Sequence, residues 1–390
     1  YHGPTLAFKD MALTILPYLL QVAAKKEGRN EETVILTATS GDTGKAALAG
    51  FADVPGFRVI VFYPQGGTSP IQERQMVTQT GGNTLVVAVR GNFDDTQTGV
   101  KRIFADEGMR TALKRRGYAF SSANSINIGR LVPQIAYYYY AYAQLLKGGR
   151  IGAGEKFNVA VPTGNFGNIL AAYYAKRMGL PLDRLICASN ENKVLYDFLQ
   201  TGAYDSNRDF ILTSSPSMDI LVSSNLERLI FHSAGDDPHR CEELMAALRD
   251  NGRYTITDVM RERLGDFSGG FATEAETAAA IARVYREHGY VIDPHTAVAA
   301  SVYEKYRAQS GDDKITVVIS TASPYKFPRS VMGAVGVDDD DDFALVERLH
   351  GIIGGRVPAA LEEAQTAPVR HNTVCGVGEM PQVVSSFLGL

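Results

Sequence analysis

The segment Thr33–Phe51, TVILTATSGDTGKAALAGF, constrains the fold more than any other stretch of the chain. A β-branched apolar run passes through a loop of small residues into a helical stretch. The pattern recurs. FRVIVFYP reads as a second strand, and Ser69-Pro70-Ile71-Gln72 behind it is a helix start, with a serine cap, proline in the first turn and glutamine three residues on. NTLVVAVRG leads to the helical DDTQTGVKRIFADEG, and RLVPQIAYYYYAYAQLL is a long aromatic helix. FNVAVPTGNFGN, ILAAYYAKRMG and RLICAS repeat strand, helix and strand. Asp293-Pro294-His295-Thr296 is another capped helix start, and KITVVISTASP is the clearest late strand, emptying into a loop with Ser320, Thr321 and Ser323. Strands alternating with helices predict a doubly wound α/β architecture.

At 390 residues the chain is long enough for two or three domains. Its 39 basic and 43 acidic side chains leave a net charge of −4, so no overall field attracts nucleic acid and any anion must be held locally. The apolar stretches are too short to span a bilayer. Cys187, Cys241 and Cys375 are too scattered for a disulfide framework or a zinc pattern, which favours a reducing, cytoplasmic setting. His232, Asp237, His239 and Cys241 match no zinc spacing, so no metal is expected. The first residues lack the pattern of a secretory signal, and the chain opens inside a motif without methionine, as a fragment or processed product would. KGGRIGAGEK reads as a possible domain boundary, and VDDDDDF as a solvated acidic turn.

Three loops have the makings of an anion site. TSGDTGK and TGNFGN each lead from a strand into a helix, where unpaired N–H groups and the positive end of the helix dipole favour an anion. Neither is a nucleotide motif. Thr39 and Ala46 break the triphosphate-loop spacing, and Pro162 stands where the dinucleotide pattern needs its first glycine. In SSANSINIGR, Asn124, Ser125 and Asn127 offer neutral hydrogen bonds and Arg130 a bidentate fork. Lys9 lies in the apolar setting of YHGPTLAFKD, which is unusual for a lysine.

Taken in order, HGPTLAFKD, TATSGDTG, NSINIGR, VPTGNFGN, SPSMDI, DPHTAVA and STASPYKF resemble the threonine synthases, a family of fold-type-II pyridoxal-phosphate enzymes; the match covers most of residues 1–330 and is least beyond about 335. The resemblance implies two doubly wound parallel-sheet domains of the tryptophan synthase β-like kind, with the N-terminal part missing. It places a smaller cofactor and substrate domain at 1–145 and a larger domain carrying the cofactor-phosphate loop at 146–390. It implies that Lys9 is the catalytic lysine that forms a Schiff base with pyridoxal 5′-phosphate, an apolar environment favouring its neutral amine.

By the same resemblance, Gly164, Asn165, Phe166, Gly167 and Asn168 cradle the cofactor phosphate, and Thr321 faces the pyridine nitrogen. Ser40, Asp42, Thr43, Asn124, Asn127, Arg130 and Lys326 become the substrate-binding candidates, with Asp42 where related enzymes often carry asparagine. The implied reaction is conversion of O-phospho-L-homoserine and water into L-threonine and phosphate. Ser323 departs from the family pattern, which has histidine there. The alternatives are another lyase of this class, such as a dehydratase or phospho-lyase, and an inactive truncated fragment that binds a phospholigand.

Overall fold

The computed structural model describes residues 1–354 and 357–390. Its strands run, in chain order, β1 (Glu32–Ala38), β2 (Phe57–Pro64), β3 (Thr84–Arg90) and β4 (Tyr118–Ser121). They continue as β5 (Phe157–Pro162), β6 (Leu182–Ser189), β7 (Ala203–Asp205), β8 (Arg253–Thr255), β9 (Phe267–Phe271), β10 (Thr316–Val318) and β11 (Thr373–Gly376). Contacts divide the chain into two units, Tyr1–Arg130 with Asp339–Leu390, and Leu131–Asp338.

The first unit carries a parallel sheet in the order β11-β3-β2-β1-β4. Successive residues of β1 serve opposite faces, as the pleat requires. Ile35 packs with Leu13, Leu16 and Phe51, while Val34 and Leu36 pack with Val100, Ile103, Met380 and Val384. The first face is covered by α1 (Lys9–Lys26), α2 (Asp42–Phe51) and α3 (Pro70–Val77). The expected start of α3 is present: Ser69 Oγ accepts from Gln72 N at 3.2 Å and Gln72 Oε1 accepts from Ser69 N at 3.3 Å.

The second unit is built on a parallel sheet in the order β10-β5-β6-β9, with an antiparallel β7-β8 pair beside it. Val159 and Val161 belong to one core, and Ala160, Ile186 and Ala188 pack on the other face against Val298 and Val302. Asp293 caps the helix Pro294–Ser310 as expected, accepting from His295 N and Thr296 N.

Four expectations are corrected. The units change at residue 130 rather than 145, because Leu131 and Tyr138 are buried in the second core, and KGGRIGAGEK is a turn inside that unit. The last residues return to the first unit, because β11 pairs with β3. The late strand keeps only three residues, since β10 is an edge strand bonded to β5 alone. The acidic turn is only partly solvated: Asp341 caps the helix Asp342–Ile353, and Asp342 is buried. Among the described residues no helix is long and apolar enough to cross a membrane.

In the second core, Phe198 is fully buried between Tyr204 and Tyr254, with ring centroids 5.8 and 5.9 Å away. Phe198→Ala is expected to lower the stability of this unit by about 3–5 kcal/mol, lost packing and the new cavity adding together. A denaturant titration checks this, and an unshifted midpoint would contradict the packing described.

Candidate active site

In open parallel sheets, ligands collect beyond the carboxyl ends of the strands where the winding reverses. In the first sheet β1 lies between β2 and β4, so the reversal brings the loop after β1, Thr39–Gly41, beside the loop after β4, which contains Asn124 and Asn127. In the second sheet β5 lies between β6 and β10, and the reversal pairs the loop Thr163–Phe166 with the loop carrying Ser320, Thr321 and Ser323. Topology thus draws the sequence candidates into two clusters, one per unit.

In the first cluster Lys9, the first residue of α1, is 8% exposed, and its Nζ lies 3.2 Å from Asp42 Oδ2. Asp42 opens α2 and is buried, so the N–H groups of that first turn favour its charge. Its other oxygen, Oδ1, accepts from Gln72 Nε2 at 2.9 Å. The surroundings of Lys9 are therefore not simply apolar, as the sequence suggested; they include a carboxylate fixed on its far side. Gly41, at φ +133°, is required here, because a Cβ would lie 2.5 Å from the Gln72 side chain. Thr39 Oγ1 accepts from the N–H groups of Gly41 and Gly44 and ties the loop to the helix start.

Ser40, Thr43, Asn124 and Asn127 are half-buried. Asn127 braces its own turn, donating to Ser122 O at 3.1 Å and accepting from Gly129 N at 2.9 Å. Arg130 is buried and donates to Ala123 O at 2.8 Å. These two residues shape the loop whatever else they do.

In the second cluster Thr163, Gly164, Asn165 and Phe166 lead into the helix Gly167–Arg177. The loop's carbonyls are held from within the unit: Gly164 O accepts from Ser223 Oγ, and Asn165 O from Asn225 N and Nδ2. Gly164 passes so close to Ser217 that a Cβ would lie 2.6 Å from Ser217 O. Phe166 adopts the left-handed conformation at φ +62° while its ring is buried 5.6 Å from Phe267. Such a residue is uncommon outside glycine, and packing holds it. The first-turn N–H groups beyond it have no carbonyl earlier in the helix to bond.

Asn168 Oδ1 accepts from the Tyr138 hydroxyl at 2.5 Å, and Asn168 Nδ2 is buried with no partner among the described residues. Burial pushes the Tyr138 phenol well above its ordinary range, so the hydroxyl keeps its proton. Thr321 and Ser323 are buried, and Lys326 completely so.

Two groups that the sequence did not single out organise this unit. His295 Nδ1 lies 2.7 Å from Asp293 Oδ2, and its Nε2 accepts from Ser217 N at 3.2 Å. This fixes the tautomer with the proton on Nδ1 and anchors the segment beneath Gly164. Asp219 accepts from Asn190, Asn192 and Thr213, and burial still raises it above the usual carboxylate range. Both residues lie in motifs, DPHT and SPSMD, that read only as a cap and a matching stretch. Tyr138 was hidden in a run of four tyrosines, and Gln72 read only as a cap. The four metal-like residues have local uses: His232 pairs with Asp236, Asp237 caps a helix that includes His239, and the buried Cys241 thiol is pushed up.

A family profile described as pyridoxal-phosphate dependent enzyme matches residues 1–322, and one described as threonine synthase, C-terminal matches residues 296–371, so the likeness continues beyond 335. Threonine synthase of Pseudomonas aeruginosa is 40% identical over 334 residues, covering 85% of this chain and 68% of that one. Threonine synthase-like 1 of Homo sapiens is 41% identical over 348 residues, covering 87% of this chain; the chain spans about half of that relative, 46% of its length. The solved structure of pyridoxal-phosphate-bound threonine synthase from Brucella melitensis superposes with a TM-score of 0.86 at 36% identity, covering all of this chain and 78% of that one. With its parallel sheets, its buried amino-terminal lysine and its glycine loop at a helix start, the chain belongs to the pyridoxal-phosphate dependent enzymes, in the threonine synthase family.

Proposed function

We propose that the chain carries the catalytic residues of a threonine synthase, which converts O-phospho-L-homoserine and water into L-threonine and inorganic phosphate. The observation that carries this reading is the buried Lys9 amine, 3.2 Å from a carboxylate at the reversal point of a parallel sheet. Pyridoxal phosphate fits the residues present. The unpartnered Asn168 Nδ2 and the close passage of Gly164 suit a phosphate at the start of the helix Gly167–Arg177. When bound, the cofactor supplies an electron sink for charge developing at the substrate Cα.

Lys9 holds the cofactor and moves protons at the substrate Cα and Cβ, and Asp42 keeps its amine in place. Gly164, Asn165, Phe166, Gly167 and Asn168 bind the cofactor phosphate through N–H groups, and Thr321 meets the pyridine nitrogen with a neutral hydroxyl. Ser40, Thr43, Asn124 and Arg130, with Lys326, hold the substrate phosphate, which leaves from Cγ before water adds at Cβ. Asn127 serves the same group chiefly by shaping the loop.

Ser323 favours a second reading. It is buried where the resemblance leads one to expect histidine, so a proton-transfer group is missing at that position. That reading is a phospho-lyase acting on a different amino acid, which eliminates phosphate without adding water at Cβ.

Borohydride reduction in the presence of pyridoxal phosphate, followed by peptide mapping, is expected to label Lys9, and Lys9→Ala to lose the label and about 10²–10⁴-fold or more in turnover. Label at another lysine would sink the assignment. With phosphohomoserine, threonine and phosphate should form one to one. Phosphate without threonine supports the second reading, and bound cofactor without turnover supports a binding fragment. Asp42→Asn keeps an acceptor for Gln72 but removes the charge beside Lys9; turnover is expected to fall about 10²-fold with Lys9 still labelled. Unchanged turnover would remove Asp42 from the mechanism.

A further inference from the structure

We propose that Tyr138 is a positioning residue that turns the Asn168 amide so that its Nδ2 donates to the cofactor phosphate. The inference rests on reading Gly164–Asn168 as the phosphate cradle. Asn168 is 8% exposed and sits in the first turn of the helix Gly167–Arg177. An asparagine amide can face either way, and its neighbours decide. Here the neighbour is the Tyr138 hydroxyl, 2.5 Å from the amide and 3.0 Å from Asn168 O. A contact of 2.5 Å suits O–H···O and is too short for N–H···O, so the amide oxygen faces Tyr138.

The other end of the amide is then committed. Nδ2 is buried, and no partner for it exists among the described residues. An unpaired buried donor is costly, and an anion at the helix start removes that cost. Burial also keeps the phenol protonated, so the amide stays turned across the working pH range. Tyr138 itself is completely buried, with its ring in the core of the unit, which makes the hydroxyl a fixed donor. Tyrosine at this position thus does two things: its ring fills the core and its oxygen orients a ligand donor. Phenylalanine would do only the first.

The test compares pyridoxal phosphate with pyridoxal, which has the same ring and aldehyde but no phosphate. Dissociation constants of both are measured on the full 390-residue chain by absorbance titration. The wild-type chain is expected to prefer the phosphorylated form. Tyr138→Phe should reduce that preference about three- to tenfold, the worth of one oriented hydrogen bond, while pyridoxal binding stays constant. A merely structural role would weaken both compounds alike. In an Asn168→Ala background, Tyr138→Phe should have no further effect on the preference, because the group it orients is gone.

Equal losses for both compounds, an unchanged preference in Tyr138→Phe, or additive effects in the double variant would each overturn the inference. A wild-type chain with no preference for the phosphorylated form would overturn the cradle itself. If Tyr138→Phe fails to fold, Asn168→Asp supplies the measurement: it keeps the acceptor for Tyr138 and replaces the donor by a carboxylate. It should lose the preference outright, and keeping it would overturn the proposal.

Discussion

A lysine and an aspartate buried side by side set the terms for the first unit. Removing two charges from water costs several kcal/mol each, and their attraction offsets this only when the remaining hydrogen-bonding capacity is met. Three helix starts meet that condition together. Lys9 opens α1, Asp42 opens α2, and Gln72 in the first turn of α3 binds the carboxylate oxygen that Lys9 leaves. Each helix is placed by the strand order, so the pair depends on the parallel sheet, and the close approach of the Gln72 side chain leaves room only for glycine at 41.

The second unit solves a different problem. Under the proposed phosphate cradle its glycine loop must present N–H groups, and a loop free to turn would point its carbonyls there instead. Ser223 and Asn225 hold the carbonyls back, and Ser217, anchored by His295, forms a floor that leaves room only for glycine at 164. Phe166 takes the left-handed turn a glycine would take more easily, because its ring is worth more in the core. Local strain is balanced by burial, and the loop acquires a single shape.

The longer strands β1, β2, β3, β5 and β6 and the helix starts were legible in the sequence because they follow from short-range chemistry: Ser69 and Asp293 cap helices where their spacing says they should, whereas β4, β7, β8, β9 and β11 carry no such pattern. The membership of units was not. Residues 131–145 look continuous with what precedes them, and only the burial of Leu131 and Tyr138 in the second core assigns them there. The return of β11 to β3 joins segments almost 300 residues apart, and no local pattern announces it. The same limit applies to the site. Lys9 and the loops stand out as residue types, whereas Gln72, Tyr138, Asp219 and His295 acquire their roles from partners distant in sequence.

A chain with a net charge of −4 that handles anions must place its positive character with care. Lysines on the surface would attract anions indiscriminately, and salt would screen them. Helix starts do the work differently: their N–H dipoles are fixed by the backbone and cannot move to follow a ligand. The loop before Gly167 is neutral in its side chains, and the polar groups around it are amides and hydroxyls. The cations among the candidate residues, Lys9, Arg130 and Lys326, are all buried. An anion is then selected by the shape of a preformed site rather than by charge alone.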